Sequence, residues 1–274
     1  MTEVALALGG GGARGLAHIH VLEALDELGI RPVAIAGSSI GAIMGAGYAS
    51  GMTGGQIRKY ALKTLGNRTQ VMSRLWQLRP DNFRGFFSSV QRFGELNGRK
   101  ALRAFLPDTI PDSFSQLQIP LKITATDFFA AELKVLDEGD LWQAMAASAA
   151  IPSIFRPEIV DGRYMIDGGI INPVPFELVE APGRIVIAVD VVGKPRGSDD
   201  RMPTRVESLF GASQLMMHAA TQLKLRLHRP AIFIRPRINE FRVMDFLRAE
   251  AILERSKETR VEVRTKLEGL LRAA

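Results

Sequence analysis

Apolar residues along this chain come in short runs separated by glycine, proline and charge. Val4 to Leu8 reads as a buried strand. Leu16 to Leu28 reads as an amphipathic helix, with Ile19, Leu22, Leu25 and Leu28 near one face, and Gly29 ends it. A second strand, Val33 to Ala36, leads through Gly37 into a small-residue helix, Ala42 to Ala49. This β-α-β-α opening predicts a parallel sheet with right-handed crossovers. Strands return at Leu121 to Thr126 and Glu132 to Leu136, then a helix at Leu141 to Ala150 that stops before Ile151-Pro152. Tyr164-Met165-Ile166 leads into Asp167-Gly168-Gly169. Arg184 to Val192 is nearly all apolar, as expected of a strand covered on both faces. A helix follows over Val206 to His228, then a last strand at Ala231 to Ile234, then mostly helix from Phe241 to Leu271. The expected fold class is therefore α/β, with a mostly parallel central sheet in a single domain over 1–274. Residues 54–114, helical and without a clear strand, read as a cap inserted in that domain. Residues 240–274 read as a C-terminal helical extension. No 20–50-residue period recurs, which excludes a repeat protein.

Bulk composition changes this picture little. The chain has 274 residues, 46% hydrophobic and 23% charged, ordinary values for a globular protein with a sizeable core. It has no cysteine, which excludes disulfides, thiol catalysis and cysteine metal sites. The N-terminal segment lacks a basic start and is too short for a signal sequence, so a cytoplasmic location is expected. Val33 to Met52 carries Gly37, Gly41 and Gly45 at GxxxG spacing, but its serines and glycines make it a poor membrane span.

Charge is concentrated. The net charge is +6. Residues 68–103 hold eight bases, Arg68, Arg74, Arg79, Arg84, Arg92, Arg99, Lys100 and Arg103, against Asp81 and Glu95. Trp76, Phe83, Phe86, Phe87 and Phe93 lie among them. Bases and aromatics together suit an anionic membrane surface, and they also suit nucleic acid. A solvated cap with a satellite core is the plain alternative.

The candidate chemistry sits where strands turn into helices. Gly37-Ser38-Ser39-Ile40-Gly41 matches Gly-x-Ser-x-Gly between a strand and a helix, the context of a nucleophile elbow. Gly10-x-Gly12-x-x-Gly15 matches a dinucleotide fingerprint, but the second strand ends without the acid that would hold a ribose. The same glycines read as backbone N–H donors at a helix start, the makings of an oxyanion hole, or as a tight structural turn. Two glycine turns after adjacent strands would open on one sheet edge. The base is less obvious. His18 and His20 lie two apart in the first helix and read as structural. His218 falls after Ser39 and Asp167 in hydrolase order, but in mid-helix. Asp167 ends an apparent strand, and residue chemistry alone does not separate it from a turn aspartate.

Taken together, Gly10 to Gly15, Gly37-x-Ser39-x-Gly41 and Asp167-Gly168-Gly169 with Asn172-Pro173-Val174-Pro175 resemble the bacterial patatin-like phospholipase family. Ala125-Thr126-Asp127 and the stretch Ala146 to Pro152 resemble it too. The resemblance runs over about residues 3–192. It implies a three-layer α/β/α fold and a Ser–Asp dyad, with Ser39 as nucleophile and Asp167 as its activator. It further implies an oxyanion hole on Gly10, Gly11 and Gly12. Arg14 would steady the glycine loop or meet a phosphate, with Gly15, Gly37, Gly41, Gly168 and Gly169 in support. The resemblance fades in 54–114, which is expected to shape the acyl pocket. The expected activity is hydrolysis of lipid acyl esters, of phospholipids or lysophospholipids, with no cofactor, metal or nucleic acid. A general carboxylesterase or thioesterase, and a non-enzymatic regulator that kept the fold, remain open. The 68–103 stretch is expected to touch the inner face of the membrane.

Overall fold

The computed structural model describes residues 2–77, 96–195 and 202–273. β1 (Val4–Leu8) is followed by a 3-10 turn (Gly12–Ala17), α1 (His18–Glu27), β2 (Ala34–Ser38) and α2 (Ile40–Ala49). Next come α3 (Gly54–Leu65), α4 (Arg68–Gln77), α5 (Gly98–Phe105), β3 (Leu121–Asp127), β4 (Glu132–Leu136) and α6 (Leu141–Ser148). β5 (Glu158–Val160), β6 (Arg163–Asp167), β7 (Ile185–Val189), α7 (Arg205–Leu227), β8 (Ile232–Ile234), α8 (Ala249–Arg255) and α9 (Glu258–Ala273) complete the chain.

The strands form one sheet in the order β5-β6-β3-β2-β1-β7-β8, with β4 also paired to β3. The pairings among β3, β2, β1, β7 and β8 are parallel, while those of β3 with β4, β3 with β6 and β6 with β5 are antiparallel. β5 is absent from the sequence reading. Its signal was Asp161-Gly162, whose two positive φ angles make the two-residue hairpin turn that joins it to β6.

Alternation along the strands divides the core. Val4, Leu6 and Leu8 of β1, Ile35 of β2, and Ile185, Ile187 and Val189 of β7 face a large core. The helices α1, α2, α6, α8 and α9 supply its other side. The opposite face is lined by small residues, Ala5, Ala7, Ala36 and Ala188, so the chain covers it closely. That cover is Val174, Phe176 and Val179, with Leu225 of α7. Lys224 clamps it by donating to Asn172 and to the Val174 carbonyl and by pairing with Glu177.

Helix ends follow local sequence. α1 closes on Gly29 at φ 64°, with Gly29 and Ile30 N–H groups donating to the Asp26 and Leu25 carbonyls. Thr53 with Gln56, and Thr204 with Glu207, form capping boxes on α3 and α7. The expected first helix begins instead as the 3-10 turn over Gly12–Ala17. Of residues 54–114, α3 packs on α1 and α5 packs on α6. In the C-terminal region, Val263 and Leu267 of α9 belong to the large core.

Candidate active site

Two turns meet at the carboxyl edge of the sheet. Ser39 follows β2 directly and caps α2 with φ 53° and ψ −122°, a strained conformation for a non-glycine residue. A Cβ on Gly41 would lie 2.0 Å from the Leu8 carbonyl oxygen, and one on Gly37 2.6 Å from the Ala42 backbone. The elbow therefore needs glycine on both sides of its serine. The Ser39 side chain makes no cap bond to α2, so its hydroxyl at the positive end of that helix is left for another partner. Its backbone N–H donates to Ser148 Oγ at 2.8 Å. Ser148, fully buried at the end of α6, holds that N–H and lies within the stretch Ala146 to Pro152.

β3 brings the second turn to the first. Ser38 pairs with Thr124, and the next β3 residue, Ala125, pairs with Asp167. Because β4 occupies the other edge of β3, β2 and β6 share one edge end to end. The residue after Ser38 thus faces the end of β6. Ser39 Oγ donates to Asp167 Oδ2 at 2.6 Å, and the Gly169 N–H donates to Asp167 Oδ1 at 2.8 Å. Gly168 sits so near the Thr124 carbonyl that a Cβ would lie 2.1 Å from it.

Asp167 is buried, and burial raises its pKa to about 6 against the pull of the Ser39 and Gly169 hydrogen bonds. That value suits a proton acceptor working near neutrality. His218 lies within α7, and among the described residues it donates no hydrogen bond to Ser39 or Asp167.

The glycine loop follows β1, beside β2 in the sheet. Gly10 lies against Ser39, 3.3 Å from the Ser39 Cβ to a Cβ built on it. Its N–H, however, already donates to the Pro173 carbonyl at 3.0 Å. Of the expected trio, Gly11 and Gly12 line the cleft with Ser39 and Asp167. Gly12 adopts φ 61°, which turns the chain into the 3-10 helix where Arg14 and Gly15 lie.

Arg14 is buried and steadies the loop. It donates to the Val191 carbonyl at 3.1 Å and the Phe241 carbonyl at 3.3 Å. With its amide oxygen turned inward, Gln214 of α7 accepts from Arg14 at 2.7 and 2.9 Å. Burial lowers the Arg14 pKa to about 10, opposed by Asp190 and Asp245. His18, neutral with its pKa held down to about 4 by burial, donates from Nε2 to the Gly9 carbonyl at 2.9 Å. Both side chains hold the loop in place. His20 is likewise structural, bonded to the Leu253 carbonyl and to Arg58.

The cleft is about 80 Å³. Its wall opposite the dyad is α7, through Leu209, Phe210, Ser213, Gln214 and Met217, with Ile151, Pro152 and Ile170 at the sides. Among the described residues of 54–114, none lines it; residues 78–95, within the stretch expected to shape the pocket, lie outside the described residues. α3 and α5 pack onto helices of the body, while α7 packs against the turn that follows Asp167. Three of the five described bases of 68–103 have structural partners. Arg74 donates to the Ala104 carbonyl, Arg99 pairs with Glu158 and Asp140, and Arg103 pairs with Asp112 over the Trp142 ring. Arg79, Arg84, Arg92, Asp81, Glu95, Phe83, Phe86, Phe87 and Phe93 lie outside the described residues. No group of His, Asp and Glu suited to a metal ion occurs among the described residues.

The class this geometry defines is an α/β protein with a serine elbow and a buried aspartate joined at the carboxyl edge of a mostly parallel sheet. The chain belongs to the patatin-like phospholipase family, whose model matches residues 6–179. An uncharacterized NTE family protein of Mycobacterium tuberculosis is 40% identical over 198 residues, covering 71% of this chain and 51% of that protein. Human patatin-like phospholipase domain-containing protein 6 is 33% identical over 214 residues, covering 76% of this chain and 14% of its own. The chain thus spans about half the length of the mycobacterial relatives it matches. In fold, VipD from Legionella pneumophila superposes with a TM-score of 0.55 at 17% identity, covering 98% of this chain and 67% of that one.

Proposed function

We propose that the chain is a serine acyl hydrolase that cleaves carboxylic esters of phospholipids or lysophospholipids through an acyl-enzyme. The observation that carries this reading is the 2.6 Å hydrogen bond from Ser39 Oγ to the buried Asp167 carboxylate. In the first half-reaction Ser39 Oγ attacks the ester carbonyl and passes its proton to Asp167. The Gly11 and Gly12 N–H groups, and the positive end of α2, face the developing oxyanion. Collapse expels the alcohol, which takes the proton from Asp167. Water then attacks the acyl-enzyme, gives its proton to Asp167, and Ser39 leaves with that proton restored. No cofactor or metal enters these steps.

The narrow cleft favours a second reading, a carboxylesterase for short acyl groups. A panel of esters of increasing chain length distinguishes the two. The decisive test is labelling with a fluorophosphonate and mapping of the labelled residue. Label on Ser39, lost in Ser39→Ala, is the expected result. Full activity in Asp167→Asn together with loss in His218→Ala would overturn the dyad.

A further inference from the structure

The helix that closes the cleft carries an apolar face on its outside. Leu209, Met216 and Leu223 recur every seven residues along α7, and Leu227 extends the row. Their surfaces are 52% to 80% exposed, and Ala212 and Ala219 between them are exposed too. On the inner side Met217 reaches the dyad. Its Cε lies 3.7 Å from a Cβ built on Gly10 and 2.7 Å from one built on Gly169. Met217 therefore sits on both glycine turns and accounts for the small cleft. Leu209 belongs to both surfaces, lining the cleft while half exposed.

We propose that α7 is the surface by which the protein docks on an anionic lipid bilayer, its outer row embedded at the headgroup–acyl boundary. Charge selects this occupant. The only acid among the 23 residues of α7 is Glu207, which caps the helix's own start. Arg205 and Arg226 are exposed on the helix, and Arg229 just beyond it. An apolar row flanked by cations fits an interfacial helix on anionic lipid. A second apolar feature projects from the same sheet edge. Phe128 and Phe129 follow β3 as Ser39 follows β2 and are largely exposed; their rings meet edge to face, and Phe129 meets Tyr164 in the same way. Aromatic side chains settle at the headgroup level. Docking through α7 would deliver an acyl chain past Leu209 to a cleft that Met217 blocks in the undocked protein. That delivery rests on the acyl-hydrolase reading; the docking does not.

The test uses the full chain carrying Ser39→Ala, so binding is measured apart from turnover. Vesicles of phosphatidylglycerol and phosphatidylcholine are the probe, in co-sedimentation. Met216→Glu with Leu223→Glu should weaken binding at least about tenfold. The same pair on an active Ser39 background should hydrolyse a dissolved short-chain ester at the parental rate. Independently, Leu223→Trp should shift its fluorescence to the blue on adding vesicles. Unchanged vesicle binding by the Glu pair, or no spectral shift, overturns the proposal. A dimer that the Glu pair splits while vesicle binding persists also overturns it, in favour of a second copy on this face. Loss of binding in a protein with no esterase activity would uphold docking and sink the hydrolase reading alone.

Discussion

A buried carboxylate with no cation beside it is an uncomfortable group, and among the described residues Asp167 has none. Its folded pKa of about 6 lies above the ordinary 3.8, so the folded state binds this proton more tightly. Asp167 therefore weakens the fold progressively as pH rises from about 4 through 6. His18 acts in the opposite sense. Its folded pKa of about 4 lies below the ordinary 6.5, so its contribution, present above 6.5, is lost as pH falls through 4. The two offset each other over one window. Asp167→Asn should therefore gain about 1–3 kcal/mol at pH 7 and then lose stability on acidification more steeply than the parent. Urea melts across pH 4–7.5 check this, and equal stability at pH 7 would refute it. In the active protein, kcat/KM should rise with pH through about 6 as Asp167 ionises. Ser148 acts one step back, through the Ser39 N–H. Ser148→Ala leaves that buried donor unpaired, at a cost of about 1–3 kcal/mol. It should lower kcat about 10–100-fold with KM little changed, and Ser148→Thr should restore part of the loss. An unaltered kcat would remove Ser148 from the positioning network.

Elements set these residues against one another. β3 is the bridge, pairing with β2 and then with β6 along one edge, so a serine and an aspartate 128 positions apart come into contact. The elbow also depends on β1, because α2 starts against the Leu8 carbonyl. Gly41→Ala would drive a methyl into backbone that has no room to move, and should cost about 3 kcal/mol or more. A thermal melt within a degree or two of the parent would contradict this packing. α7 closes the cleft from the other side, tied at one end by Lys224 and over the cleft by the Gln214–Arg14 bond. Met217→Ala should open the cleft and raise kcat/KM for a dissolved ester several-fold. A fall in that ratio would show Met217 to be part of the substrate wall instead.

At the scale of the whole molecule, the family match ends at residue 179, but the folding unit does not. β7 and β8 complete the sheet, and α9 buries Val263 and Leu267 against α1 and β8. Each fully buried aliphatic side chain is worth about 1.5–3 kcal/mol, and removing α9 also uncovers its partners. A chain ending at residue 257 should therefore lose most of the roughly 5–15 kcal/mol that holds a domain folded. Circular dichroism with a urea titration reads the outcome, and a cooperative transition at the full-length midpoint would show α9 to be dispensable.

Much of this was legible in the order of residues. The β-α-β-α opening, the glycine elbow and the capping residues are local. Backbone sterics and 3.6- or 2-residue periodicity act within a few positions, so they leave their mark in short stretches such as Gly37 to Gly41. Asp167 was legible only through resemblance, because a turn aspartate and a catalytic one share the same neighbours in sequence. The tertiary structure alone decided the rest. It showed that the Gly10 N–H belongs to Pro173, that Ser148 holds the Ser39 backbone, and that α7 lines the cleft. These depend on strand register and on which groups satisfy each other's hydrogen bonds across more than 100 residues. No local pattern encodes such pairings, because burial assigns them only once the sheet has formed.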